Sequence, residues 1–157
     1  MKTTDYLQLD SKTTEKVAHE LQTLLADLQV YYANLRGFHW NVKGQEFFNL
    51  HAKYEEMYDD AADKVDQVAE RILMLGGVPE HNYSEYLKKS AIKETGVVSD
   101  GKEIANLLLS YLKELIGQER KILETASEGN DEGTANLMSD MILEQEKMVW
   151  MLTAYLS

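Results

Sequence analysis

Apolar residues recur at steps of three and four along most of this chain, and nowhere in the strict alternation that marks a strand. The first stripe runs through Val17, Leu21, Leu24, Leu25, Leu28, Tyr31, Tyr32, Leu35 and Phe38. Asp10 or Ser11 stands where a cap would start its helix, and Gly44 where that helix breaks. A second stripe, Leu50, Tyr54, Met57, Ala61, Val65, Val68, Ile72 and Leu75, stops at Gly76-Gly77-Val78-Pro79, a double termination signal. The third opens on Asp100-Gly-Lys-Glu103, the spacing of a capping box, and carries Ile104, Leu107, Leu108, Tyr111, Leu112, Leu115, Ile122 and Leu123 as far as Gly129. The fourth starts near Asn130-Asp131 and carries Leu137, Met138, Met141, Ile142, Met148, Val149, Leu152, Tyr155 and Leu156.

Between the second and third stripes, residues 80–98 show only a short helical pattern around Ser84–Lys89, and the one proline falls in the same connection. Four long helices with two short links and one long connection predict an all-α four-helix bundle with a crossover between helices two and three that carries the short helix. The chain of 157 residues suits one domain, 1–157, with a single sizeable core.

Composition narrows the chemistry. There is no cysteine, which excludes disulfides, thiolate metal sites and cysteine nucleophiles. That fits a reducing cytoplasm, the expected location. No apolar run approaches the ~18 residues of a membrane span, and the first residues lack the apolar stretch of a secretory signal. The net charge is −11, which disfavours nucleic acid and anionic membranes and favours cations. The one basic cluster, Lys2, Lys12 and Lys16, is interleaved with Asp5, Asp10 and Glu15.

The second helix has a second, polar face: His51, Glu55, Tyr58, Ala62, Asp66 and Glu70. His51 with Glu55 and Asp66 with Glu70 are i,i+4 neighbours. Imidazole and carboxylate together suit iron(II), manganese or zinc, although acids at this spacing are also ordinary on a solvated helix. Glu55 and Asp66 are about 16 Å apart along a straight helix, too far to share a metal. An antiparallel copy of the same helix, with a twofold axis between residues 60 and 61, would place His51 opposite Glu70 and Glu55 opposite Asp66. Ala61 and Ala62 near that axis permit close approach. His39, at the end of the first helix, could complete such a site, and open coordination positions suit iron(II) and an oxidant better than a closed structural zinc site. His19 and His81 read as ordinary packed histidines.

These residues resemble a known family. His39-Trp40-Asn-Val42-Lys-Gly44, then Phe47, Phe48, Leu50-His51, Glu55, Tyr58, Asp66, Ala69-Glu70-Arg71-Ile72 and the closing Glu146-Lys147-Met-Val-Trp150-Met-Leu resemble the signature of Dps proteins, the ferritin-like mini-ferritins of starved and oxidatively stressed bacteria. The resemblance covers nearly the whole chain. It implies a hollow dodecamer with ferroxidase centres at twofold interfaces, where His39 and His51 of one subunit face Asp66 and Glu70 of another. Glu55 stands where the family more often has aspartate; its longer side chain leaves open whether it binds metal directly or supports a ligand.

The implied activity is oxidation of iron(II) to iron(III), with hydrogen peroxide as preferred oxidant, followed by iron storage in the shell and protection against oxidative stress. Trp40, beside His39, is a candidate electron donor or an interface-packing residue. The family's acidic pores at threefold axes point to Asp131, Glu132 and Asp140, although acids at a helix N-terminus also simply complement its dipole. Family members that bind DNA usually use a lysine-rich tail. The charge-balanced start of this chain and its Leu156-Ser157 end predict weak DNA binding or none. The alternative function is a nucleoid-binding or structural shell protein with little iron chemistry. The larger ferritin type needs a Glu-x-x-His pair within the bundle, and none occurs.

Overall fold

Capping side chains set where the helices begin. In the computed structural model, which describes residues 2–157, Asp10 accepts the Thr13 N–H at 2.9 Å and starts α1 (Ser11–Asn41). The chain then turns through Gly44, whose φ of +112° no β-carbon tolerates easily, into α2 (Phe47–Met74). Gly76, at φ +83°, ends α2 as the double-glycine signal predicts. The crossover carries α3 (Tyr83–Lys89), one residue longer at its start than the sequence pattern suggests. Asp100 accepts the Glu103 N–H at 2.8 Å, the acceptor half of the expected capping box, and opens α4 (Gly101–Glu128). Asp131 caps α5 (Glu132–Leu156) through the Thr134 N–H. A short 3-10 turn at Thr3–Tyr6, which periodicity cannot reveal, precedes α1.

The four long helices form the expected bundle: α1 packs along α2, α4 along α5, and α1 also against α4 and α3. Leu21, Leu24, Leu28, Leu35, Phe38, Ile72, Ile104, Leu108 and Leu115 are fully enclosed at its centre. Each such side chain contributes about 1.5–3 kcal/mol of transfer free energy. Among the described residues no helix is long and apolar enough to cross a membrane.

The crossover is held by a charge inside the core. Asp27 of α1 is fully buried and accepts the Ser90 hydroxyl at 2.6 Å, the Ile92 N–H at 3.0 Å and the Gln118 amide. Three donors, two from the crossover and one from α4, thus replace the water this carboxyl group lost. Asp27→Ala leaves the Ile92 N–H without that acceptor inside the core and should cost about 3 kcal/mol. Urea unfolding reads the loss, and amide exchange should locate it at residues 90–92. A variant as stable as wild type with unchanged exchange there would refute the latch.

Candidate metal centre

α1 ends and α2 begins in a way that brings two histidines together. The rings of His39 and His51 stack with centroids 3.7 Å apart and planes within 18°. Each Nδ1 lies 2.7 Å from the other residue's backbone carbonyl, so the two bonds are reciprocal. A carbonyl can only accept, so each Nδ1 must carry a proton, and in the neutral ring Nε2 then keeps its lone pair. Fixing the tautomer through the distal nitrogen is how proteins orient a metal-binding imidazole. The His51 ring also satisfies a carbonyl in the last turn of α1, which makes it a helix cap. Phe47 stacks on His51 at 5.0 Å, and the Tyr58 ring stands edge-on to His39 at 5.3 Å.

Glu55, Asp66 and Glu70 are exposed on α2, while His39 is buried. Among the described residues no three His, Asp or Glu side chains converge on one point within the chain. One chain therefore carries an imidazole pair near the start of α2 and an acid pair toward its end. The limits of α2, Phe47 and Met74, lie at equal distances on either side of the twofold proposed between residues 60 and 61. Two antiparallel α2 helices about that axis would lie flush along their whole length, with the His pair of each facing the acids of the other. Two neutral imidazoles with carboxylates form a donor set that fits iron(II).

A row of side chains leads from this place to the surface. Tyr58 meets Tyr32 edge-on at 6.1 Å, the Arg36 guanidinium lies 5.1 Å from the Tyr32 ring, and it lies 5.0 Å from the Trp40 ring. Desolvation, then the charges of Glu55 and Asp59, hold the Tyr58 pKa above its ordinary value, so it stays a neutral phenol. Trp40 itself is 64% exposed, with Arg36 over its ring. Tyr32 and Arg36 carried no functional expectation from sequence. Their spacing with Trp40, one residue every fourth position, was the available signal.

The expected pore residues separate. Asp131 is buried, receives the Arg71 guanidinium at 2.6 Å and caps Thr134, so it is a structural anchor between α2 and α5 rather than a channel-lining acid. Glu132 and Asp140 are exposed. His19 and His81, expected to be packed, also lie exposed.

The bundle holds a second polar cluster that motif reading missed. Lys64 of α2, 5% exposed, bonds Asp60 and Glu144 at 2.6 Å each beside a cavity of about 190 Å³ lined also by Tyr31, Gln145 and Met148. Burial pulls the Lys64 pKa down, but these two bonds more than reverse it and keep the ammonium charged. Nearby, Gln145 donates to Glu119 Oε1 at 2.6 Å, whereas Glu119 Oε2 and Gln145 Oε1 are buried without a partner. Burial pushes the Glu119 carboxyl up to about 8, against the pull of Gln145, Lys64 and Arg120. Both residues sit on the apolar stripes of their helices, the signal that could have exposed them.

The chain is similar to proteins already known. The family model for a ferritin-like domain matches residues 18–157. The DNA protection during starvation protein of Porphyromonas gingivalis is 49% identical over 147 residues, covering 94% of this chain and 92% of that one. The crystal structure of a Dps protein from Vibrio cholerae O1, described as a member of a broad superfamily of ferritin-like diiron-carboxylate proteins, superposes with a TM-score of 0.95 at 50% identity, covering 97% of this chain and 96% of that one. A Dps protein from Bacillus brevis superposes with a TM-score of 0.90 at 34% identity, over 95% of this chain and 100% of that one.

Proposed function

The chain belongs to the Dps family of ferritin-like proteins, and from that membership and the geometry of its histidines we propose that it oxidises and stores iron. Iron(II) is the substrate and the stored mineral the product, held in a dodecameric cytoplasmic shell. The observation that carries this reading is the reciprocal bonding of His39 and His51, which engages both Nδ1 atoms and leaves both Nε2 atoms free to bind metal beside an acidic helix face. Asp66 and Glu70 of a twofold neighbour complete each centre, and Glu55 lies between them and the histidines. Carboxylates hold the harder iron(III) and neutralise its charge, while imidazole lets iron(II) exchange.

Two iron(II) ions bound together supply the two electrons that, with two protons from solvent, reduce one hydrogen peroxide to two waters and leave two iron(III), with no hydroxyl radical released. Trp40 would supply an electron where only one iron is bound. Glu132 and Asp140 are the acids available for iron entry, and the charge of −11 per chain draws cations toward the particle.

Anaerobic iron(II) followed by hydrogen peroxide at one molecule per two irons tests the proposal through near-ultraviolet ferric absorbance. Peroxide should give fast, complete oxidation with the product eluting with a particle of twelve subunits, and air alone should be slower. Oxidation no faster than in protein-free buffer would overturn it. Duplex DNA should not be retarded on a gel at moderate salt, and a tight, salt-resistant shift would favour a nucleoid role instead.

A further inference from the structure

We infer that Phe48 of one subunit and Leu73 of its twofold partner pack on each other and seal the outer end of each metal centre against water. The inference rests on the twofold reading above and adds two residues to it. Phe48 is 83% exposed in the first turn of α2, and Leu73 is 52% exposed in the last. At 100° per residue both fall on the face that carries Glu55, Asp66 and Glu70. Among the described residues, these large apolar groups stand largely uncovered at the two ends of an otherwise acidic, exposed face.

A second copy of the same helix covers both. Phe48 lies one turn before His51, and Leu73 one turn after Glu70. The axis that sets His51 opposite Glu70 therefore sets Phe48 opposite Leu73, one turn farther from the twofold. Since α2 starts at Phe47 and stops at Met74, neither helix overhangs the other and each apolar residue has a partner. Phe48 also touches the site from within its own chain: its ring meets Phe47 edge-on at 5.3 Å, and Phe47 stacks on His51 at 5.0 Å. The seal thus continues an aromatic wall that begins on a metal-facing imidazole. Excluding water there lowers the local dielectric and strengthens every charge interaction at the bound cation.

The absence of cysteine makes a clean test possible. In the assembled protein, Phe48→Cys/Leu73→Cys treated with a short bifunctional maleimide should give covalent dimers on a denaturing gel. Either single variant should give none, because equal positions lie about 37 Å apart in an antiparallel pair. Dimers from a single variant, or none from the double, would overturn the register. For the seal itself, zinc(II) calorimetry compares Leu73→Asp with wild type. Leu73→Asp should weaken binding about tenfold relative to wild type; equal affinity for the two would refute the seal. Crosslinked dimers that oxidise iron at the background rate would remove the proposed function and leave the contact standing. Normal oxidation without crosslinking would do the reverse.

Discussion

Subunits carrying His39→Asn and His51→Asn, and subunits carrying Asp66→Asn and Glu70→Gln, should each lose iron(II) oxidation by about 100-fold or more. Shells assembled from an equal mixture of the two should nevertheless recover about a quarter of the wild-type capacity, because twofold sites draw ligands from both chains. Half of the pairs in such a mixture are mixed. Each mixed pair has one site with both histidines and both acids, and one site with neither. A centre built within one chain would show no recovery at all, and that result would end the shared-site reading. Asparagine is the appropriate replacement because Nδ1 does structural duty in both rings. Its amide N–H can stand in for Nδ1–H on the facing carbonyl, while the Nε2 lone pair disappears. Circular dichroism and particle size should therefore stay unchanged while oxidation collapses.

Glu119→Gln should make the protein more stable above neutral pH, by roughly 3–5 kcal/mol near pH 8.5, with little difference near pH 5. The sign follows from proton counts. Burial raises the folded carboxyl from its ordinary 4.5 to about 8, so between those values the folded chain holds a proton that the unfolded chain has released. Stability then falls as pH rises through that window, by about 1.4 kcal/mol per pH unit for one proton. The protonated form also accounts for the two orphaned oxygens: a proton on Glu119 Oε2 can bond Gln145 Oε1 and close acid and amide into a two-bond pair. Glutamine supplies that second donor at every pH. The charged groups around the pair are Lys64 and Asp60 on α2, Arg120 on α4 and Glu144 on α5, with Tyr31 of α1 facing it. Urea midpoints of wild type and variant across pH 5–9 make the comparison. Parallel profiles would show that Glu119 does not hold its proton.

Periodicity and caps made most of this architecture legible beforehand. Leucine and tyrosine at steps of three and four placed all four long helices, and Asp10, Asp100 and Asp131 marked three starts, because capping is local chemistry within a single turn. The relation proposed between His51–Glu55 and Asp66–Glu70 has a different basis: a helix converts residue number into length, so symmetric spacing sets which residues an antiparallel copy would face.

What stayed hidden depends on partners far away in sequence. Asp131 reads as a surface acid until Arg71, sixty residues earlier, is seen to reach it. Asp27 reads as an interruption of an apolar stripe until Ser90 and Gln118 close around it. The His39–His51 bonds need the α1–α2 turn folded before either carbonyl can be a partner.

The exposed acids of α2 carry a consequence for the whole particle. The proposed pairing of two such helices would line up Glu55, Asp59, Asp63, Asp66 and Glu70 of both chains along one seam, where like charges repel. A cation that relieves this repulsion stabilises the pair, and linkage requires the reverse as well: the factor by which metal tightens assembly is the factor by which assembly tightens metal. Cargo and container then share a single equilibrium. On the proposed pairing, the shell would hold together best when it has iron to hold.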